Sequence, residues 1–142
     1  QFNLGNMYCS GDGVAQDYNE AVQWYRKAAD QGLTSAQFRL GAMYFKGDGI
    51  TQDYNEAVQW YRKSADQGNA HAQNNLGIMY NEGNGGLTQD HSQAVRWYRK
   101  AADQNLAEAQ FSLGVVFDIG QGFAQDYSEA VRWYRKAADQ GG

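Results

Sequence analysis

The chain has 142 residues, 42% hydrophobic and 20% charged, a composition that folds rather than one that stays disordered. Its net charge is −4 with no basic stripe of the kind a nucleic-acid module carries, and no apolar run approaches the roughly 18 residues of a membrane span. The one cysteine, Cys9, cannot close an internal disulfide, no signal peptide is recognisable, and the opening residue is Gln1, so the compartment stays open.

In chain order, the first predicted helix, called helix A, is cut short and opens at Gln1. A Gly-Asp-Gly turn at residues 11–13 leads to helix B, QDYNEAVQWYRKAADQG at residues 16–32. A second helix A follows at 35–47, SAQFRLGAMYFKG, and the helix B line then returns at 52–68 with Ser64 in place of Ala28. The third pair occupies 71–83 and 89–105, and the fourth 108–120 and 125–141. Trp24, Trp60, Trp97 and Trp133 are 36, 37 and 36 residues apart, and Gly5, Gly41, Gly77 and Gly114 are 36, 36 and 37 apart. Both series place a one-residue insertion in the GNGGL stretch at 83–87, where the other copies read GDGV, GDGI and GQGF. An insertion confined to a loop keeps the helices of stacked units in step.

Helix B carries its own start and stop signals. Asp17, Asp53, Asp90 and Asp126 each stand three residues before Glu20, Glu56, Gln93 and Glu129, an aspartate version of the capping box. Gly32, Gly68, Asn105 and Gly141 close the four helices, Asn being the usual stand-in for Gly in the left-handed conformation. Ala57, Trp60, Tyr61, Ser64 and Ala65 share one face at about 100° per residue and are expected in the core, opposite Gln59, Arg62, Lys63 and Asp66. Arg62 and Asp66 read as a solvated ion-pair face. On helix A, Ala36, Leu40 and Tyr44 line one face. Gly41 sits mid-helix, where it costs about 1 kcal/mol relative to Ala. Its recurrence in every copy predicts the close approach of a neighbouring backbone, with a helix break as the alternative.

Leu40, Gly41, Tyr44, Gly47, Gly49, Asp53, Ala57, Trp60, Tyr61, Lys63, Ala65, Gln67 and Gly68 carry a pattern that closely resembles the Sel-one-like repeat, a relative of the tetratricopeptide repeat. The resemblance covers essentially the whole chain. It departs at Phe117, which replaces Tyr, at His91, which replaces Tyr18 and its kin, and in the longer third loop. It implies an all-α fold, a right-handed α-solenoid of four helix-turn-helix units, and a role as a scaffold for protein complexes. One repeat domain over residues 1–142 is expected, with repeats at 1–32, 33–68, 69–105 and 106–142. The cysteine-rich branch of the family pins each repeat with a disulfide, and this chain lacks those cysteines.

Positions that hold in all four copies are explained by packing, which leaves the varying ones free for recognition. On helix A these form triplets at i, i+4 and i+7: Phe2, Asn6 and Cys9; Phe38, Ala42 and Phe45; Asn74, Ile78 and Asn81; Phe111, Val115 and Asp118. The resemblance implies that this stripe lies on the concave side, where its apolar members suit a peptide or a partner helix. The bland alternative is that Phe38 and Phe111 pack between neighbouring repeats. Lys46, Glu82, His71 and Glu108 form a polar rim or are simply solvated.

Chemistry is expected to be absent. The Gly-Asp-Gly turns lack the rest of a phosphate loop, Asp48 and Asp53 lack calcium-loop spacing, and His71 and His91 are too few for a zinc site. No serine has Lys three residues on, and Cys9 is a poor nucleophile candidate. The expectation is a non-enzymatic protein-binding scaffold with no cofactor or metal. The alternatives are a self-assembling array that stacks head to tail through uncapped ends, a consensus design, or a fragment of a longer bacterial array.

Overall fold

The computed structural model describes residues 1–121 and 124–140. Eight α-helices are present among them: α1 (Phe2–Ser10), α2 (Tyr18–Asp30), α3 (Thr34–Lys46), α4 (Tyr54–Asp66), α5 (Ala70–Glu82), α6 (His91–Ala102), α7 (Ala107–Ile119) and α8 (Tyr127–Asp139). They fall into two compact units, residues 1–69 and 70–142, each with four helices in which every helix packs on the next. Odd-numbered helices are the predicted helix A and even-numbered ones helix B.

The predicted caps are in place. The Asp17 carboxylate accepts from the Asn19 and Glu20 amides at 3.0 and 3.2 Å, and Asp53 repeats this on Asn55 and Glu56. Asp90 and Asp126 accept from Gln93 and Glu129. At the other end, Gly32, Gly68 and Asn105 take positive φ of 90°, 97° and 68°, so Asn105 does adopt the left-handed turn. The predicted stop at Gly141 and the Gly122 and Phe123 positions of the last turn lie outside the described residues.

A glutamine latches each turn. Gln16 and Gln52 donate Nε2–H to the carbonyls of Cys9 and Phe45 at 2.8 Å. Gln89 reaches Asn81 and Gln125 reaches Asp118, at 2.9 and 2.7 Å. Across the longer third loop the latch spans eight residues instead of seven. The insertion is therefore taken up between two tied points and leaves both helices undisturbed.

In unit 1 the buried residues are those the period predicts, among them Ala21, Tyr25, Ala36, Leu40, Ala57 and Tyr61. Val58 joins them, although the pattern had not singled it out. In unit 2, Val95, Tyr98 and Ala102 of α6 pack with Leu113 and Val116 of α7 and Trp133 of α8. The tryptophans differ: Trp60 and Trp133 are buried, whereas Trp24 and Trp97 are half-buried. Each indole is roofed by the lysine three residues on, with Lys27, Lys63, Lys100 and Lys136 ammonium groups 4.5–4.6 Å from the ring centroids. The Lys next to each Arg thus covers an aromatic face, a role the ion-pair reading of that helix side did not anticipate.

The mid-helix glycines correct one expectation. No helix break occurs at Gly41, and what comes nearest to it is a ring rather than a backbone, although at Gly77 the Ala94 carbonyl also stands 3.2 Å from where a Cβ would sit. A Cβ on Gly41 would stand 2.9 Å from Cδ1 of the Tyr61 ring, and the same ring lies at 2.7 Å for Gly5 with Tyr25, 2.8 Å for Gly77 with Tyr98 and 2.5 Å for Gly114 with Tyr134. The glycine is a notch for the helix B tyrosine of its own hairpin.

A buried amide thread also runs through each unit. In unit 1, Gln37 donates to the Ala29 carbonyl at 3.3 Å and accepts from Gln67 at 2.7 Å. In unit 2, Gln110 donates to Ala102 and accepts from Gln140, and Gln104 donates to Gln73. Gln37, Gln73 and Gln110 are buried yet satisfied, as interior amides must be, by the more exposed Gln67, Gln104 and Gln140.

Candidate protein-binding site

Most stripe residues have an identifiable neighbour in their own unit. In unit 1 the Phe2 ring lies 5.8 Å from Tyr25, Phe38 lies 5.9 Å from Tyr61, and Phe45 lies 5.0 Å from Tyr54. All three phenylalanines are half-buried, as are Asn6, Cys9 and Ala42. Asn6 Oδ1 accepts a 2.6 Å bond from the Tyr25 hydroxyl. The phenylalanines therefore rest on tyrosines of their own hairpins and leave one edge open.

Unit 2 holds a groove of about 930 Å³ with an apolar lining. Its walls are Asn74 and Ile78 of α5, Phe111 and Ser112 of α7, and Tyr134 and Ala138 of α8. Three predicted stripe residues, Asn74, Ile78 and Phe111, meet there. Phe111 is 56% exposed and stacks 5.5 Å from Tyr134. Asn74 is buried, and its Oδ1 has no hydrogen-bond partner among the described residues. Glu108 lines the rim and lies 3.8 Å from His71. Val115 is half-buried and does not line the groove.

Asn81 and Asp118 are engaged by helix B side chains. Asn81 Oδ1 lies 2.7 Å from His91 Nδ1, so His91 replaces tyrosine with a direct bond back to helix A. Asp118 accepts from the Tyr134 hydroxyl at 3.4 Å. Sequence reasoning missed Tyr134 and Ala138 as groove walls. Tyr134 looked like another copy of a core residue, and only the packing shows it half-exposed.

Burial raises the helix B phenols. Burial first and Cys9 second push Tyr25 up to about 12, and burial with Glu82 does the same for Tyr98. Tyr134 is raised by burial and by Asp118. A folded value above the ordinary 10.0 favours the folded state fully below pH 10, and that contribution is lost as pH climbs towards 12. Stability should therefore fall between about pH 10 and pH 12, and Tyr98→Phe should flatten the fall. A chemical-denaturation series across that range, in which the variant tracked the wild type, would contradict it.

Among the described residues no three His, Cys, Asp or Glu gather in a way that could hold a metal, and no helix is long and apolar enough to cross a membrane.

The Sel1 repeat model matches residues 1–33, 34–69, 70–106 and 107–142. Among solved structures, c5321, a protective antigen of uropathogenic Escherichia coli strains displaying an SLR fold, is 44% identical with a TM-score of 0.95, over 99% of this chain and 30% of that one. A Sel1 repeat protein from Oxalobacter formigenes is 38% identical with a TM-score of 0.94, over 99% and 57%. The chain thus spans less than two thirds of either protein. Helicobacter pylori cysteine rich protein B, 23% identical with a TM-score of 0.68 over 93% of this chain and 94% of that one, shares the fold. No curated protein matches the chain.

Proposed function

Because the chain belongs to the Sel1 repeat family of all-α solenoids, whose members generally act as protein-interaction scaffolds, we propose that it binds a protein or peptide partner through the helix A stripe, without catalysis. The observation that carries this reading is the groove of unit 2, where Asn74, Ile78 and Phe111 line one apolar wall system beside a half-exposed Tyr134. Apolar side chains left open on a rigid frame suit a partner helix or extended segment, because little ordering cost remains on the scaffold side. Unit 1 by itself presents the same kind of surface with Phe2, Phe38 and Phe45, and Asn6, Cys9 and Ala42 complete its two triplets. Val115, Asn81 and Asp118 complete the stripe, the latter two holding helix B side chains in place.

The test is capture from the source cell by wild type beside Phe111→Ser and a triple variant, Phe38→Ser, Phe45→Ser and Phe111→Ser, each first shown folded by its far-ultraviolet spectrum and melting curve. The reading expects a partner retained by wild type and lost by the triple variant, with Phe111→Ser weakened about tenfold, the effect of one lost contact of 1–2 kcal/mol. Undiminished capture by a folded triple variant would show that the partner binds elsewhere.

A further inference from the structure

Matching positions of the two units differ in charge at one place. In unit 1, Arg26 of α2 donates to the Tyr44 hydroxyl of α3, with its Cζ 5.7 Å from that ring. The corresponding residues in unit 2 are Arg99 of α6 and Phe117 of α7. Phe117 has no hydroxyl, so Arg99 lacks the acceptor that Arg26 has. A second change lies on the next helix B, where Gln59 of α4 corresponds to Arg132 of α8.

Arg99, Phe117 and Arg132 line one groove of about 450 Å³ between α6 and α8, which shares no lining residue with the apolar groove at Phe111. Among the described residues its walls hold three cations, Arg99, Arg132 and Lys136, against two carboxylates, Asp103 and Glu129. The unit 1 counterparts, Arg26 and Lys63 with Asp30 and Glu56, balance. The groove thus has one positive charge to spare in a chain whose net charge is −4. Its cations are positioned: Lys136 Nζ and Arg132 Cζ lie 4.6 and 5.7 Å from the Trp133 ring centroid, and Glu129 pairs with Arg132 at 3.3 Å. Trp133 is part of the wall, and its buried Nε1–H has no acceptor among the described residues. This side of helix B is also open where a later helix packs on it. Arg96 and Lys100 are exposed on α6 under α7, and Gln23 and Lys27 on α2 under α3. The exposure of Arg132 and Lys136 therefore belongs to the repeat and not to its place in the chain.

We infer that this groove binds a carboxylate, the Asp or Glu side chain of a protein partner, as a contact separate from the apolar stripe. Arg99 offers a planar fork of N–H donors that matches two carboxylate oxygens. One carboxylate cancels the surplus charge, whereas a dianionic phosphate leaves a negative charge beside Asp103 and Glu129. A charged contact of this kind fixes the register of a partner and speeds its approach more than it adds affinity.

Nuclear magnetic resonance titration of the protein tests this, with a terminally blocked pentapeptide that carries a central Glu as the probe. Versions with a central Gln or phosphoserine serve as comparisons. At low ionic strength the Glu peptide should shift the backbone signals of Arg99 and Arg132 and the indole N–H of Trp133, saturating in the millimolar range, and the Gln peptide should not. Arg99→Gln and Arg132→Gln, both at exposed positions, should each weaken binding about fivefold. Phe117→Tyr should weaken it as well, because the restored hydroxyl takes up Arg99 as Tyr44 takes up Arg26. Phe111→Ser should bind the Glu peptide like wild type, so this contact and the apolar stripe are read separately. An absent shift overturns the inference, as do equal shifts from the Gln peptide or folded arginine variants that bind like wild type. Tighter binding of the phosphoserine peptide assigns the groove to phosphate and overturns it too.

Discussion

Trp133→Ala is expected to destabilise the chain by about 3–5 kcal/mol, among the largest effects of any single truncation. The indole is 5% exposed and belongs to the cluster that joins α6, α7 and α8. Removing it leaves a void facing Leu113 and Val116 and strips Lys136 of the ring its ammonium covers at 4.6 Å. The indole Nε1 is buried without a partner among the described residues, so the side chain contributes through bulk and not through a hydrogen bond. Trp133→Phe should consequently cost much less than Trp133→Ala. Trp60, 8% exposed, should behave similarly, whereas half-buried Trp97 should cost less. Urea denaturation with the slope checked against wild type measures all four. A Trp133→Ala loss below about 1 kcal/mol would refute its place in the core.

Gly41→Leu should cost about 1–3 kcal/mol or more, against the helix propensity that favours any ordinary residue over glycine. A Cβ alone stands 2.9 and 3.0 Å from two atoms of the Tyr61 ring, closer than real side chains approach. Tyr61 is 3% exposed, so the ring has no free direction in which to retreat. Gly41→Ala separates the two contributions. Propensity alone would make it stabilising by about 1 kcal/mol, and the ring contact should cancel or reverse that gain. In a Tyr61→Ala background the notch is empty and Gly41→Ala should become stabilising. A double-mutant cycle with coupling below about 0.5 kcal/mol would mean that the glycine and the tyrosine do not meet.

The gap between expectation and structure at Gly41 has a plain cause. Gly41 and Tyr61 recur with the same period, as do Ala57, Trp60 and several others. A constant residue announces that something fits against it, but every other constant residue is an equal candidate for what fits. A backbone and a phenol ring therefore could not be told apart from the line of letters. The glutamine thread was legible in the same limited sense. Gln37, Gln73 and Gln110 keep the period, yet nothing in their spacing says that they pair with Gln67, Gln104 and Gln140.

The stripe divides along the same line. That its triplets vary within a regular frame is visible in the sequence. That Asn6, Asn81 and Asp118 hold Tyr25, His91 and Tyr134 is not, because those bonds cross from one helix to the next. Phe2, Phe38, Phe45 and Phe111 are alike as letters, and only packing makes Phe111 the exposed one.

By itself the sequence determined the number of repeats, the start of each helix B, the stops at Gly32, Gly68 and Asn105, the apolar faces and the family. These follow from local physics: aspartate satisfying helix amides, glycine or asparagine turning left-handed, and apolar residues returning every turn. The tertiary structure alone decided which side chains meet. It put the tyrosine in the glycine notch, the lysine over the indole, and Tyr134 and Ala138 in a groove beside Phe111. Those outcomes depend on the volume and hydrogen-bonding left over after neighbouring helices have packed, and a one-dimensional pattern does not record that remainder.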